Sequence, residues 1–325
     1  MTEFDVITPR NENELLDAIA ANQDAPFRFG AGFTDLVPEL KKNSNGAKIN
    51  VINLAKVSGD SFKSIVRHGD DFIIGALATA AEVGANKELS DAFPVLNRAA
   101  VSLASRQIRH VATVGGNICT ASPAGDILTA LVALDAECEL LSTNKAIRLI
   151  PLKDFLLGVR KIALNKNEVL RSIKLKGNSQ YATQKTGDVQ HLSDVGHLQD
   201  FGHLPDVGHL KNNIRSDFIK IGTRKSMECS VVSLAYHFCI DANGTILQAG
   251  IAIGSSAPTV MYAQSACDFI IGKNIDSFTQ EEINEFANKV LSYSNPISDS
   301  RGSAWYRKRV LYNISKSVLE KEEHF

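Results

Sequence analysis

The chain has 325 residues, 44% hydrophobic and 22% charged, too many for one compact core and unlike a disordered, collagenous or disulfide-rich composition. Lysine and arginine number 35 against 36 aspartates and glutamates, so no global field gathers nucleic acid or an anionic membrane, and an anionic ligand must be held by local geometry. The five cysteines are scattered with no C-x-x-C pair, which reads as reduced thiols and argues against an iron–sulfur cluster or structural zinc on this chain.

The acidic start, Met1 to Val6, has no basic segment followed by an apolar core, and no run approaches ~18 apolar residues, so a cytoplasmic location is expected. Asn11 with Glu14 resembles a capping box, and Leu15, Leu16 and Ile19 then share a face, which predicts the first helix. Phe27-Arg28-Phe29 reads as a strand entering Gly30-Ala31-Gly32. Thr34 is the expected cap of a helix with Leu36, Val37 and Leu40 inward, and Lys48 to Leu54 is the next strand. This order is a βαβ-like opening.

Ser64 to Arg67 and Phe72 to Ile74 flank His68-Gly69-Asp70-Asp71, the pattern of a hairpin. Helices are predicted over about Ala80–Leu89 and Pro94–Ser105, then a glycine turn at Thr113–Asn117, then a helix over about Gly125–Leu134. Strands follow around 139–141, 147–150 and 169–175. From Phe218 long strands surround an Asp241–Gly244 turn, and helices are expected near 262–271, 280–291 and 303–316, with Thr279 and Glu282 forming a capping box.

Between the second and third groups lie four hexamers, Asp188 to Lys211, carrying His191, His197, His203 and His209. Residues six apart leave the common face of a helix and on a strand lie ~20 Å apart, so the spacing does not build a metal site. The segment reads as an exposed low-complexity insert.

Two glycine-containing stretches carry the chemical interest. Gly30-x-Gly32-x-x-Asp35 lacks the third glycine of a dinucleotide fingerprint, but small residues there let backbone amides approach a phosphate; the other reading is an ordinary turn. Thr113-Val114-Gly115-Gly116-Asn117 offers the same device again, or simply a tight bend, and two such stretches suit the two phosphates of a pyrophosphate. Asp126 either complements a helix start or accepts bonds from ribose hydroxyls.

The run from Arg109 to Ala136, which contains Thr113–Asn117 and Asp126, resembles the signature of the FAD-binding subunit of the molybdenum hydroxylases, the family of xanthine dehydrogenase and carbon monoxide dehydrogenase. Gly30–Leu36, Ile74-Gly75-Ala76, Phe218–Arg224 and Pro296–Arg307 strengthen the likeness, which covers the chain except about Asn178 to Arg215.

The resemblance implies an α+β fold: a two-part FAD-binding domain of the vanillyl-alcohol oxidase (PCMH) type, its subdomains at 1–57 and 58–177. The repeat insert occupies 178–215, and a small α+β C-terminal domain, antiparallel sheet plus helices, occupies 216–325. It implies FAD as cofactor, its pyrophosphate wrapped by Phe29, Gly30, Ala31, Gly32, Phe33, Thr34, Asp35 and Leu36 and by Thr113, Val114, Gly115, Gly116 and Asn117. Asp126 would hold the ribose or adenine side, and Leu103, Leu170 and Lys220 would lie near the flavin. Phe33 stands where the family frequently has glycine or asparagine, and Leu103 where an aromatic residue can stack. Leu103 and Leu170 read equally as core leucines.

No catalytic side chain and no metal ligand is implied. The implied partners are a molybdopterin-binding large subunit and a small subunit with [2Fe-2S] clusters, electrons passing through this chain's FAD to NAD or oxygen. Two alternatives stand beside this reading: a non-catalytic assembly subunit of the same fold, and a free-standing flavin reductase.

Overall fold

The structure, a computed structural model, describes residues 4–42, 48–177, 213–224 and 228–320. Its first lobe comprises β1 (Phe4–Ile7), α1 (Glu12–Ala21), β2 (Phe27–Gly30), α2 (Leu36–Lys42) and β3 (Ile49–Asn53). The strands form a parallel sheet in the order β1-β3-β2, which makes β2–α2–β3 the expected crossover. Helix α1 begins where the Asn11 side chain accepts the Glu14 amide, and it buries Leu15, Leu16 and Ile19 in a core shared with Ile52 and Phe62. Strand β1 gives no sequence signal, because its four residues are half-buried or exposed without alternation. The expected cap at Thr34 is not seen: its hydroxyl donates to the Asp35 carboxylate at 3.3 Å, and the amides of Val37 and Glu39 reach the carbonyls of Phe33 and Asp35.

The second lobe runs through α3 (Asp60–Lys63), β4 (Ile65–His68), β5 (Asp71–Gly75), α4 (Ala80–Ala85), α5 (Lys87–Ala92), α6 (Pro94–Ser102), α7 (Arg106–Arg109), α8 (Val114–Thr120) and α9 (Asp126–Ala133). It closes with β6 (Glu137–Ser142), β7 (Ile147–Pro151), α10 (Leu152–Phe155), β8 (Leu156–Gly158), β9 (Lys161–Ile162) and β10 (Glu168–Leu175). An antiparallel sheet, β4-β5-β10-β6-β7, carries the predicted hairpin, with Gly69 at φ +63 in its turn.

One predicted helix, 80–89, is divided, and the other, 94–105, stops at Ser102, with a further short helix following it. Asn86 ends α4 and its side chain caps α5 by accepting the Leu89 amide, so one residue serves both helices. Ala104, at φ +41, separates α6 from α7, and Ser105 caps α7 through the Ile108 amide.

The third lobe contains β11 (Asn213–Ile221), β12 (Val232–Ile240), β13 (Ile246–Gly254), β14 (Met261–Tyr262), α11 (Gln264–Ile270), α12 (Gln280–Leu291) and α13 (Ala304–Leu319). Its antiparallel sheet follows sequence order, with the expected turn at Asp241–Gly244 and the capping box of Thr279 and Glu282 both present. Strand β11 starts at Asn213, inside the last residues assigned to the insert; the four hexamers themselves lie outside the described residues.

All nine residues of β12 are buried because the sheet is covered on both faces, by α9 and α6 on one side and α11 and α13 on the other, with α12 packed on those two helices. Helix α9, buried at all eight positions, lies directly on β12 and β13. Its approach needs small residues opposite: a side chain on Gly250 would overlap the Ala133 carbonyl, and one on Gly254 the Ser233 and Thr129 hydroxyls. Among the described residues no helix is long and apolar enough to cross a membrane.

Candidate cofactor-binding site

The loop after β2 meets the segment before α8. Gly32 sits so close to Val111 that a side chain there would enter the Val111 carbonyl, so the first glycine stretch is pressed against the residues leading into the second. Phe29 and Gly30 end β2, Ala31 to Asp35 form the loop, and Leu36 opens α2. Phe33 adopts φ +59, the left-handed region that a glycine or asparagine occupies with less strain, which gives a physical meaning to the sequence departure at this position. Among the described residues the amides of Gly32, Phe33, Thr34 and Asp35 have no hydrogen-bond partner.

The second stretch is not a turn. Thr113 caps α8, its hydroxyl oxygen accepting the Gly116 amide at 3.0 Å, and Val114, Gly115 and Gly116 form the first helical turn. Their amides are already used: Val114 donates to Ala78 (2.9 Å), Gly115 to Ala76 (2.7 Å) and Asn117 to the Thr113 carbonyl (2.9 Å). A side chain on Gly115 would overlap Ala76, so this glycine lets α8 press onto the end of β5. The expectation that both stretches present free amides is therefore corrected for Val114–Asn117, where the fold has taken them.

Asn117 has a further role that sequence reasoning missed. Gly125, which precedes α9, has no side chain to cap it, and Asn117 Oδ1 accepts the Leu128 amide at 2.9 Å in its place. From there the structure leads straight to Asp126, in the first turn of α9.

Asp126 and Lys220, singled out separately in the sequence, form one ion pair between a buried carboxylate and a half-buried ammonium. Lys220 Nζ lies 2.6 Å from Asp126 Oδ2 and 3.3 Å from the Ser102 carbonyl, and the Ser230 hydroxyl donates to Asp126 Oδ1 at 2.8 Å. Burial raises the Asp126 carboxyl above its ordinary value, while Lys220 and Ser230 pull it down. Ser230 carries no sequence signal, because its role depends on a neighbour more than a hundred residues away. Leu103, next to Ser102, and Leu170, on β10, are both buried in the core of the second lobe.

The Pro296–Arg307 stretch does structural work. Buried Arg307 donates to the carbonyls of Val231 and Ser255 and to Asp299, joining the start of α13 to the ends of β12 and β13. Among the described residues no group of three histidines, cysteines, aspartates or glutamates is placed to hold a metal.

The donor set of the first loop fits an anionic group such as a pyrophosphate: four neutral amides in one loop, free of any duty to the fold, with a left-handed residue among them. The Thr113 capping interaction lies at the start of α8, and the Asp126–Lys220 pair at the start of α9.

A family model described as the FAD binding domain in molybdopterin dehydrogenase matches residues 2–175, and one described as the CO dehydrogenase flavoprotein C-terminal domain matches residues 217–321. The chain is 26% identical to the xanthine dehydrogenase FAD-binding subunit of Escherichia coli O157:H7 over 319 residues, 97% of this chain and 96% of that one. It is 24% identical to the glyceraldehyde dehydrogenase medium chain of Sulfolobus acidocaldarius over 325 residues, 98% of each. Among solved structures, a chain of the carbon monoxide dehydrogenase from Hydrogenophaga pseudoflava superposes with a TM-score of 0.79 at 21% identity, covering 97% of this chain and 95% of that chain, a likeness of fold.

Proposed function

The chain belongs to the family of FAD-binding domains of the molybdopterin dehydrogenases, an oxidoreductase flavoprotein with FAD as its cofactor, and from that premise we propose how it holds the cofactor and what it serves. The loop from Phe29 to Leu36 receives the pyrophosphate through the amides of Gly32, Phe33, Thr34 and Asp35, the observation that carries the reading. Thr113 to Asn117 form the opposing wall, contributing shape, the Thr113 hydroxyl proton and the Asn117 side-chain N–H more than backbone amides, because both side-chain oxygens already accept amides of the fold. Asp126 and Lys220 line the ribose and flavin end, with Leu103 and Leu170 supplying apolar surface behind it.

When bound, FAD would supply two-electron redox chemistry to this chain, between iron–sulfur clusters as electron donors and NAD or oxygen as acceptor. The residues of this chain bind, orient and electrostatically bias that group, and no side chain acts as nucleophile or general base. The partners are a molybdopterin-binding large subunit and a small [2Fe-2S] subunit, in the cytoplasm. The names of the relatives, a FAD-binding subunit and a medium chain, support a place within such an assembly.

The test is the visible absorbance of the purified full chain, with the released chromophore identified by mass. A flavin spectrum with the mass of FAD, near one per chain, is the expected outcome. A folded chain that stays colourless after FAD is added rejects the site.

A further inference from the structure

We propose that the Phe33 ring is an internal clamp that holds the amide loop in its binding geometry by packing on Gly30; the proposal rests on the FAD reading above and deepens it. Residue 33 is fixed from several directions. Its ring lies where a side chain on Gly30 would have to be, so the absence of one at Gly30 is what seats the ring. The ring also packs on a small core of Leu36, Leu40 and Val51, beside Phe4 and Ile49. Its carbonyl accepts the Val37 amide at 3.3 Å, and its neighbour Gly32 is pressed against Val111. The backbone at φ +59 is unfavourable for a side chain of this size, and a bulky residue persists there only when its surroundings over-determine it.

The unpartnered amides flank this one residue on both sides, so whatever fixes Phe33 fixes their directions. An anchored loop spends less of its interaction with an anion on being ordered, and the gain appears as slower release of the ligand. Phe33 is thus a positioning residue for the cofactor. A residue that was merely strained would behave oppositely: relieving it with glycine would leave binding unchanged or improve it.

The experiment uses the full chain freed of flavin, with FAD itself as the probe, its dissociation constant and release rate read by fluorescence and the melting point of the FAD-free form recorded alongside. Phe33→Gly is expected to raise the dissociation constant about tenfold through faster release, the backbone relief at residue 33 offsetting part of the packing lost from Leu36, Leu40 and Val51 in the melting point, and Phe33→Tyr to return the dissociation constant to within about twofold. Gly30→Ala, which displaces the ring, should cost clearly less affinity in the Phe33→Gly background than in the wild type. Should Phe33→Gly fail to fold, Phe33→Asn, which tolerates the left-handed region, is read in its place. Unchanged or tighter FAD binding by the glycine or asparagine variant, or equal costs of Gly30→Ala in both backgrounds, overturns the clamp. A wild-type chain that binds no FAD overturns the cofactor reading and the clamp with it.

Discussion

Gly30 ends β2 and Gly32 lies in the loop after it, whose amides from Gly32 to Asp35 have no partner among the described residues, whereas Gly115 and Gly116 open a helix and their amides are bonded to Ala76 and to Thr113. In the sequence the two stretches look alike, small residues before a helix with a threonine close by. The difference lies in what each glycine approaches. Gly115 brings α8 onto a strand end whose carbonyls need donors, so the approach consumes the amides. Gly32 approaches the Val111 carbonyl with its Cα, and the amides that follow it are left over. A glycine pair therefore reports close contact between backbones, and only the partner backbone decides whether donors remain for a ligand.

This contrast can be broken by experiment, because substitutions on the consumed side should damage the FAD-free protein and substitutions on the open side should not. The largest effect is expected for Lys220→Met, which leaves Asp126 buried beside Ser230 without its cation and should cost about 3 kcal/mol in urea unfolding of the FAD-free chain. The sign of its pH dependence follows from burial, which already raises the Asp126 carboxyl. The penalty is greatest at neutral pH, where the lone carboxylate is ionised, and fades as the pH drops through the raised value and the group takes up a proton. A pH-independent cost would mean that the loss is one of packing.

Gly115→Val should follow, at about 2–3 kcal/mol, because the new side chain overlaps Ala76; unimpaired stability would show that α8 can move off the strand. Thr113→Ala removes a cap and should cost about 1 kcal/mol in the absence of FAD, whereas a residue serving only a phosphate would show no such loss. At the small end, Thr34→Ala in the open loop should shift FAD-free stability by under about 0.5 kcal/mol. A larger shift would place that loop among the structural segments and erase the contrast.

Much of the architecture was legible. Asn11, Thr279 and the turns at Gly69 and Gly244 announce element ends through local chemistry that holds wherever the chain is placed. Helix α8 was not legible, because two successive glycines argue against a helix unless a strand end stands opposite them. Asp126 and Lys220 were each identified as site residues by resemblance, yet nothing local says that they face one another or that Ser230 completes the pair. Local signals mark where elements begin and end; contacts between distant segments must be seen.

Helix α9 bears on how such chains can be recombined. It lies within the stretch matched by the first family model, residues 2–175, but its buried surface is completed by strands of the second, residues 217–321. Cutting between the two would divide the sequence at a natural seam while stripping a fully buried helix of its cover. A chimera that takes its C-terminal module from a relative will assemble only if that module offers small residues where Gly250 and Gly254 admit the helix. The unit of exchange is thus a helix with its matching pair of strand glycines, a lock and key split across two modules.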